Sequence, residues 1–243
     1  MRFNFRTFSR QISGSTTVAA LLLTFLAAAS SQLAAADHGQ TVLVVGDSLS
    51  AGHGIAQEES WVALLGERLR TEGYGYAVVN ASITGDTTTG GRKRLPRALK
   101  VHRPAVVIIE LGGNDGLRGT PIAVMRSNLA GMIELSEAAG AHVVLAGMQI
   151  PTNYGGPYTR DFAAVYPELA TKYGTGLIGF FLDGIALDIT LFQADGIHPT
   201  AAAQTILLDN VWPVLEPKLA KPTTGVTSAS QKPTAATRQV ISP

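Results

Sequence analysis

Five short apolar runs recur along the chain, at Thr41 to Val45, Tyr76 to Asn80, Ala105 to Glu110, His142 to Met148 and Gly176 to Phe181. Their Val, Leu and Ile content is nearly continuous rather than alternating, which is the pattern of strands covered on both faces. The stretches between them carry apolar positions at the period of a helix. Ser60 to Arg70 sets Trp61, Leu64, Leu65 and Leu69 on one face, with Ser60 placed to cap it. Arg92 to Lys100, Ile122 to Ala139 (after Thr120-Pro121) and Tyr158 to Lys172 follow. A last helix is predicted from near Pro199-Thr200, with an interruption at Pro213. Alternating strands and helices predict an α/β fold in which a five-stranded parallel sheet lies between two helix layers.

Ligands of such sheets sit beyond the carboxyl ends of the strands. The chemically suggestive segments all fall there. Ser48 follows the first predicted strand, Gly85 the second and Asn114 the third; Met148 to Pro157 leaves the fourth, and Asp195 and His198 lie beyond the fifth.

The two ends of the chain read differently from its middle. Arg2, Arg6 and Arg10 precede an apolar run from Val18 to Ala29, and Ala34-Ala35-Ala36 stands before Asp37. That layout predicts a secretory signal peptide over residues 1–36 and an exported, periplasmic or secreted, protein. The apolar run is short for a membrane span, which needs about 20 residues. From Lys221 to Pro243 the residues are mostly Pro, Thr, Ser, Ala and Gln, the composition of a disordered tail. Residues 37–220 remain as one domain. It carries 13 basic against 18 acidic residues, a net charge of −5. Such a domain has no general electrostatic pull toward nucleic acid. With no cysteine anywhere, disulfides, thiolate catalysis and cysteine-based metal sites are excluded.

The chemistry is concentrated in two short segments. Gly46-Asp47-Ser48-Leu49-Ser50 puts a serine in a turn at a strand end, and Asp195-Gly196-Ile197-His198-Pro199 places an acid three residues before a histidine. A serine hydroxyl attacks at neutral pH only if an imidazole takes its proton, and the imidazole needs an acceptor on its other nitrogen. Ser48 can equally be read as a helix cap. Gly85 offers a backbone N–H that a substrate oxygen can approach, or forms a plain turn. Asn114, in Gly112-Gly113-Asn114-Asp115, offers an amide to a developing oxyanion, or stabilises its own loop. Asp47, Asp86 and Asp115 suit loop hydrogen bonding. His38, His53, His102 and His142 join no metal-binding spacing, and phosphate-loop and dinucleotide fingerprints are missing. Arg92, Lys93, Arg94, Arg97 and Lys100 form a basic cluster that is either a receiver of carrier phosphates or a solvated helix face.

Gly46 to Gly52, Ser82 to Gly91, Leu111 to Gly119 and Asp195 to Pro199, in that order, make the chain similar to the SGNH (GDSL-type) hydrolase superfamily. Within it the likeness is to the bacterial thioesterase I, lysophospholipase L1 and arylesterase group, and it extends over nearly all of Thr41 to Leu219. The resemblance implies a flavodoxin-like three-layer sandwich and hydrolysis of carboxylic esters and thioesters (aryl esters, acyl-CoA, lysophospholipids) without metal or cofactor. It implies Ser48 as nucleophile, His198 as base and Asp195 as its orienting acid. The oxyanion hole would comprise the Ser48 and Gly85 N–H groups and the Asn114 amide. Met148, Ile150 and Tyr154 are expected on the acyl-binding surface. The expected partner is a small-molecule ester or thioester, with no nucleic acid and no stable membrane span, and the protein is expected to be a monomer. A carbohydrate O-acetylesterase and a non-catalytic flavodoxin-like binding domain stand as alternatives.

Overall fold

The computed structural model describes residues 40–220; the segments read as leader (1–36) and tail (221–243) lie outside the described residues. Five strands form one sheet: β1 (Thr41–Gly46), β2 (Ala77–Asn80), β3 (Val106–Glu110), β4 (His142–Ala146) and β5 (Gly176–Ile178). All pairings are parallel and the spatial order is β2-β1-β3-β4-β5, the flavodoxin-like arrangement. Strand order reverses between β1 and β3, so a crevice opens beyond their carboxyl ends. Gly46 and Glu110 are register partners at that point.

Val42 to Val45, Val106 to Ile109 and Val143 to Ala146 are buried, as their unbroken apolar runs require. β2 departs from the expectation. Its residues are exposed or half-buried, because it is an edge strand with one neighbour. β4 and β5 are also shorter than the apolar runs that predict them. The chain leaves the ladder after Ala146 and Ile178, and Met148 and Phe181 are buried in loops instead.

Helices α1 (Ser48–Ala51), α2 (Trp61–Thr71), α3 (Thr88–His102), α4 (Gly113–Leu117), α5 (Ile122–Ala138), α6 (Gly156–Tyr173) and α7 (Gln204–Leu215) complete the sandwich. α2 packs with α7, and α3, α5 and α6 pack together as the other layer. Ser60 caps α2 by accepting from the Ala63 N–H, and Trp61 behind it is buried edge-on against Phe181. Side chains of this size contribute about 2–3 kcal/mol each by leaving water.

Two helix boundaries correct the sequence reading. α3 starts at Thr88 rather than Arg92: Thr87 caps it, and a Cβ on Gly91 would stand 2.3 Å from Leu111 Cδ1, so a larger residue would have to displace that side chain. Tertiary packing thus overrides the low helix propensity of Gly90-Gly91. α7 runs through Pro213 to Leu215. Pro213 frees the carbonyl of Asp209, but both residues are exposed, so water satisfies it. Pro96 in α3 and Pro167 in α6 are exposed in the same way. No helix among the described residues is long and apolar enough to cross a membrane.

Candidate active site

The Gly46–Ser50 turn leaves β1 at the switch point and enters α1 directly. Asp47 caps α1 by accepting from the Leu49 N–H at 3.1 Å, which puts Ser48 at the first helical position. There the Ser48 N–H has no intrahelical acceptor. Among the described residues neither it nor the Gly85 N–H is taken by another protein group. Gly85 sits in a turn at φ +77°, a conformation that larger residues resist. That turn is tied to the Gly46–Ser50 turn, since Ile83 N–H donates to the Gly46 carbonyl at 3.1 Å.

Asn114 lies in the first turn of α4, beyond β3 and next to β1 in the sheet. Its side-chain amide donates to Asp47 Oδ2 at 3.0 Å. Burial pushes the Asp47 carboxyl up to about 6, against the Leu49 and Asn114 hydrogen bonds and the His198 charge, which lower it. The loop-stabilising role expected of Asp47 is therefore real, and it reaches across the cleft.

Asp195 and His198 lie in the long connection after β5. His198 Nδ1 stands 2.6 Å from Asp195 Oδ2, and the other oxygen accepts from the Ile197 and His198 N–H groups at 2.9 and 3.0 Å. These bonds, the His198 side-chain bond foremost, hold the Asp195 carboxyl well below its ordinary range. They also fix the proton on His198 Nδ1 and leave Nε2 free to accept. The loop is closed by a Phe192–Pro199 bridge and by Gln193, whose amide donates to the carbonyls of His53 and Pro199 at 2.7 and 3.1 Å. His53 follows α1 directly and donates its N–H to the Ser48 carbonyl at 3.2 Å, while its ring lies 4.3 Å from the His198 ring. The histidine pair and the serine turn therefore share one wall of the cleft.

The other predicted residues divide. Met148 and Ile150 are buried beneath α4, against Gly113 and Gly116, so they form its floor; Tyr154 is exposed and donates to the Leu117 carbonyl at 3.2 Å. The basic cluster does not act as a unit. Arg94 pairs with Asp86 at 2.7 Å and reaches the Ala81 and Gly46 carbonyls, and Arg92 bonds to Ser127 and Asn128. Asp115 is buried and accepts from both the N–H and the hydroxyl of Thr88, fixing α4 to the start of α3. Among the described residues no group of three or more His, Asp or Glu side chains is arranged to hold a metal ion.

Sequence reasoning missed Arg118, Gln193 and Glu110. Arg118 donates to the Gly85 carbonyl at 3.0 Å and ties two sides of the cleft. Glu110 had a visible signal, since it is the one acid ending an otherwise apolar run of a central strand. Gln193 had none.

Comparison with known proteins gives a consistent result. The model of the GDSL-like Lipase/Acylhydrolase family matches residues 44–206. Esterase TesA of Pseudomonas aeruginosa is 54% identical over 180 residues, covering 74% of this chain and 90% of that protein. The thioesterase 1/protease 1/lysophospholipase L1 of Escherichia coli K12 is 40% identical over 197 residues, covering 81% and 89%. A crystal structure of TesA superposes with a TM-score of 0.72 at 54% identity, covering 74% of this chain and all of that one.

Proposed function

Because this chain belongs to the GDSL-like lipase/acylhydrolase family, we propose that it hydrolyses carboxylic esters and thioesters through an acyl-enzyme on Ser48. The observation that carries the reading is the His198–Asp195 pair, joined at 2.6 Å on the strand-end edge that also presents Ser48.

In this mechanism His198 Nε2 takes the Ser48 proton as Oγ attacks the carbonyl carbon. The carbonyl oxygen becomes an oxyanion held by the Ser48 and Gly85 N–H groups and the free hydrogen of the Asn114 amide. Collapse breaks the bond to the alcohol or thiol, which leaves with the proton from His198. A water, deprotonated by His198, then attacks the acyl carbon; collapse breaks the bond to Ser48 Oγ, which takes the proton back from His198 as the carboxylic acid leaves. Asp195 keeps the imidazole in one tautomer throughout and stabilises its cationic form.

Tyr154 stands at the mouth as the expected residue for acyl contact, with Met148 and Ile150 shaping the floor under Asn114. Aryl esters, acyl-CoA and lysophospholipids are the proposed substrates. The basic start, the apolar run and Ala34-Ala35-Ala36 support export with a mature start at Asp37, which N-terminal sequencing of the protein from its native host tests. The catalytic reading is tested with a fluorophosphonate probe: the protein labels covalently, and folded Ser48→Ala protein neither labels nor turns over ester. A probe adduct on another residue, or comparable turnover by Ser48→Ala, overturns it. Rates on acetylated sugars beside aryl and acyl esters separate a carbohydrate O-acetylesterase.

A further inference from the structure

Behind the serine turn lies an acid that the mechanism does not use. Glu110 ends β3 with no exposed surface. Its Oε2 accepts from the Ser50 hydroxyl at 2.6 Å and from the Asp47 N–H at 3.3 Å. A Cβ on Gly46, its register partner, would stand 2.6 Å from the same oxygen. The residues on both sides of Ser48 are thus bonded to one carboxyl, and the residue before them has no side chain because the carboxyl occupies that space. Among the described residues Oε1 has no hydrogen-bond partner.

We propose that Glu110 is a positioning residue for the nucleophile, a peg around which the Gly46–Ser50 turn is wound, acting through Asp47 and Ser50 and never on substrate. The inference rests on the reading of Ser48 as nucleophile. The ladder of β1 with β3 ends at Gly46. Beyond it Asn114 holds the Asp47 side chain and Asn80 donates to the Ser50 carbonyl at 2.7 Å, and the two bonds to Glu110 Oε2 fix the inner side of the turn. They aim the first turn of α1 so that the Ser48 hydroxyl and the Ser48 N–H face the same cleft.

The geometry also assigns the protonation state. An ionised carboxylate with one unpartnered oxygen is costly in a core. Burial, and then the Asp47 charge, hold Glu110 well above the ordinary carboxylate range, while its bonds from Ser50 and Asp47 oppose this. The titratable groups facing it are Asp47 from the β1–α1 turn and Tyr166 from α6, whose hydroxyl donates to the Leu111 carbonyl at 3.0 Å. Further out, His198 and Asp86 act on Asp47, and Asp115 acts on Tyr166. Among the described residues no lysine or arginine pairs with Glu110. It works as a neutral acid with Oε2 accepting, a shape that a glutamine amide reproduces with its NH2 in the place of Oε1.

The test compares Glu110→Gln, Glu110→Ala and Ser50→Ala with the parent on an aryl ester, by kcat, KM and the rate of fluorophosphonate labelling. Glu110→Ala is expected to lower kcat and the labelling rate at least about 20-fold, with KM within about 3-fold. Ser50→Ala is expected to lower both several-fold, and Glu110→Gln to keep at least a third of the parent kcat. The melting temperature of Glu110→Gln relative to the parent should rise from pH 5 to pH 9, because only the parent must keep a proton in place. If Glu110→Ala does not fold, Ser50→Ala and the Glu110→Gln profile decide. Labelling of folded Glu110→Ala or Ser50→Ala at the parent rate overturns the inference, as does a Glu110→Gln loss as large as that of Glu110→Ala. A parent protein that does not label at Ser48 would instead overturn the functional reading itself.

Discussion

Asn114 donates one amide hydrogen to the Asp47 carboxylate across 3.0 Å, joining the residue before the proposed nucleophile to the proposed side-chain donor of the oxyanion hole. One amide hydrogen is thereby used to aim the other. An asparagine on a five-residue helix would otherwise sample several rotamers, and a donor prepositioned for the transition state avoids that reorganisation.

Removing the donor tests this. Asn114→Ala leaves nucleophile and base untouched, and negative charge grows on the carbonyl oxygen only as the transition state forms. The expected result is a fall in kcat of about 10²- to 10³-fold with a much smaller change in KM. Steady-state kinetics on one aryl ester check it. A rise in KM alone would make Asn114 a substrate-binding residue.

Asp47 gives a pH prediction with opposite signs for stability and activity. Its native value of about 6 lies above its ordinary 3.8, so the native state holds a proton that the unfolded chain releases between about pH 4 and pH 6. Its contribution to stability therefore falls as pH rises through that window and is level above it. The carboxylate, present above about 6, is the form that holds Asn114 better. Asp47→Asn should melt progressively higher than the parent as pH goes from 4 to 6. Its kcat relative to the parent should drop from about one half at pH 5 to about one tenth at pH 7.

Asp195 should matter less than the histidine it orients. Its side chain is 41% exposed, against 17% for His198, so water can take the place of a missing carboxylate. Asp195→Ala is expected to lose about 10²-fold in kcat, and His198→Ala at least about ten times more. Rates of ester turnover for the two variants at pH 8 check the order.

Gly46→Ala would place a methyl 2.6 Å from Glu110 Oε2 and 2.7 Å from the Ser50 side chain. Something must shift, and overpacking of this kind costs about 1–3 kcal/mol. The strain falls on the serine turn, so both the melting temperature and kcat should drop, which distinguishes it from a core variant that lowers the first alone.

The legible parts of this fold are those where the signal is local. β1 and β3 stand out because two covered faces demand unbroken apolar runs, and α5 because Pro121 marks its start. Ser48, Asn114, Asp195 and His198 are readable because each sits in a short polar segment just past a predicted strand or in the last loop. The beginning of α3 is not readable, since two glycines look like a turn until Leu111 is known to press on Gly91. Glu110 stands out as an acid at the end of an apolar run, but its role does not, and neither does that of Gln193. Their partners Ser50 and His53 are 60 and 140 residues away along the chain, and no spacing rule connects them.

The two halves of the proposed catalytic apparatus are anchored very differently. Ser48 and Asn114 extend directly from β1 and β3, the central strands, whereas Asp195 and His198 lie beyond Ile185, the last fully buried side chain before them, on a stretch closed on itself by the Phe192–Pro199 bridge and tied to the serine turn by the Gln193 bond to the His53 carbonyl. Local opening free energies follow such differences in anchoring. On warming, His198 is expected to be released while Ser48 is still seated. Heat inactivation would then be a reversible undocking that precedes denaturation, and the temperature optimum would belong to one loop rather than to the whole domain.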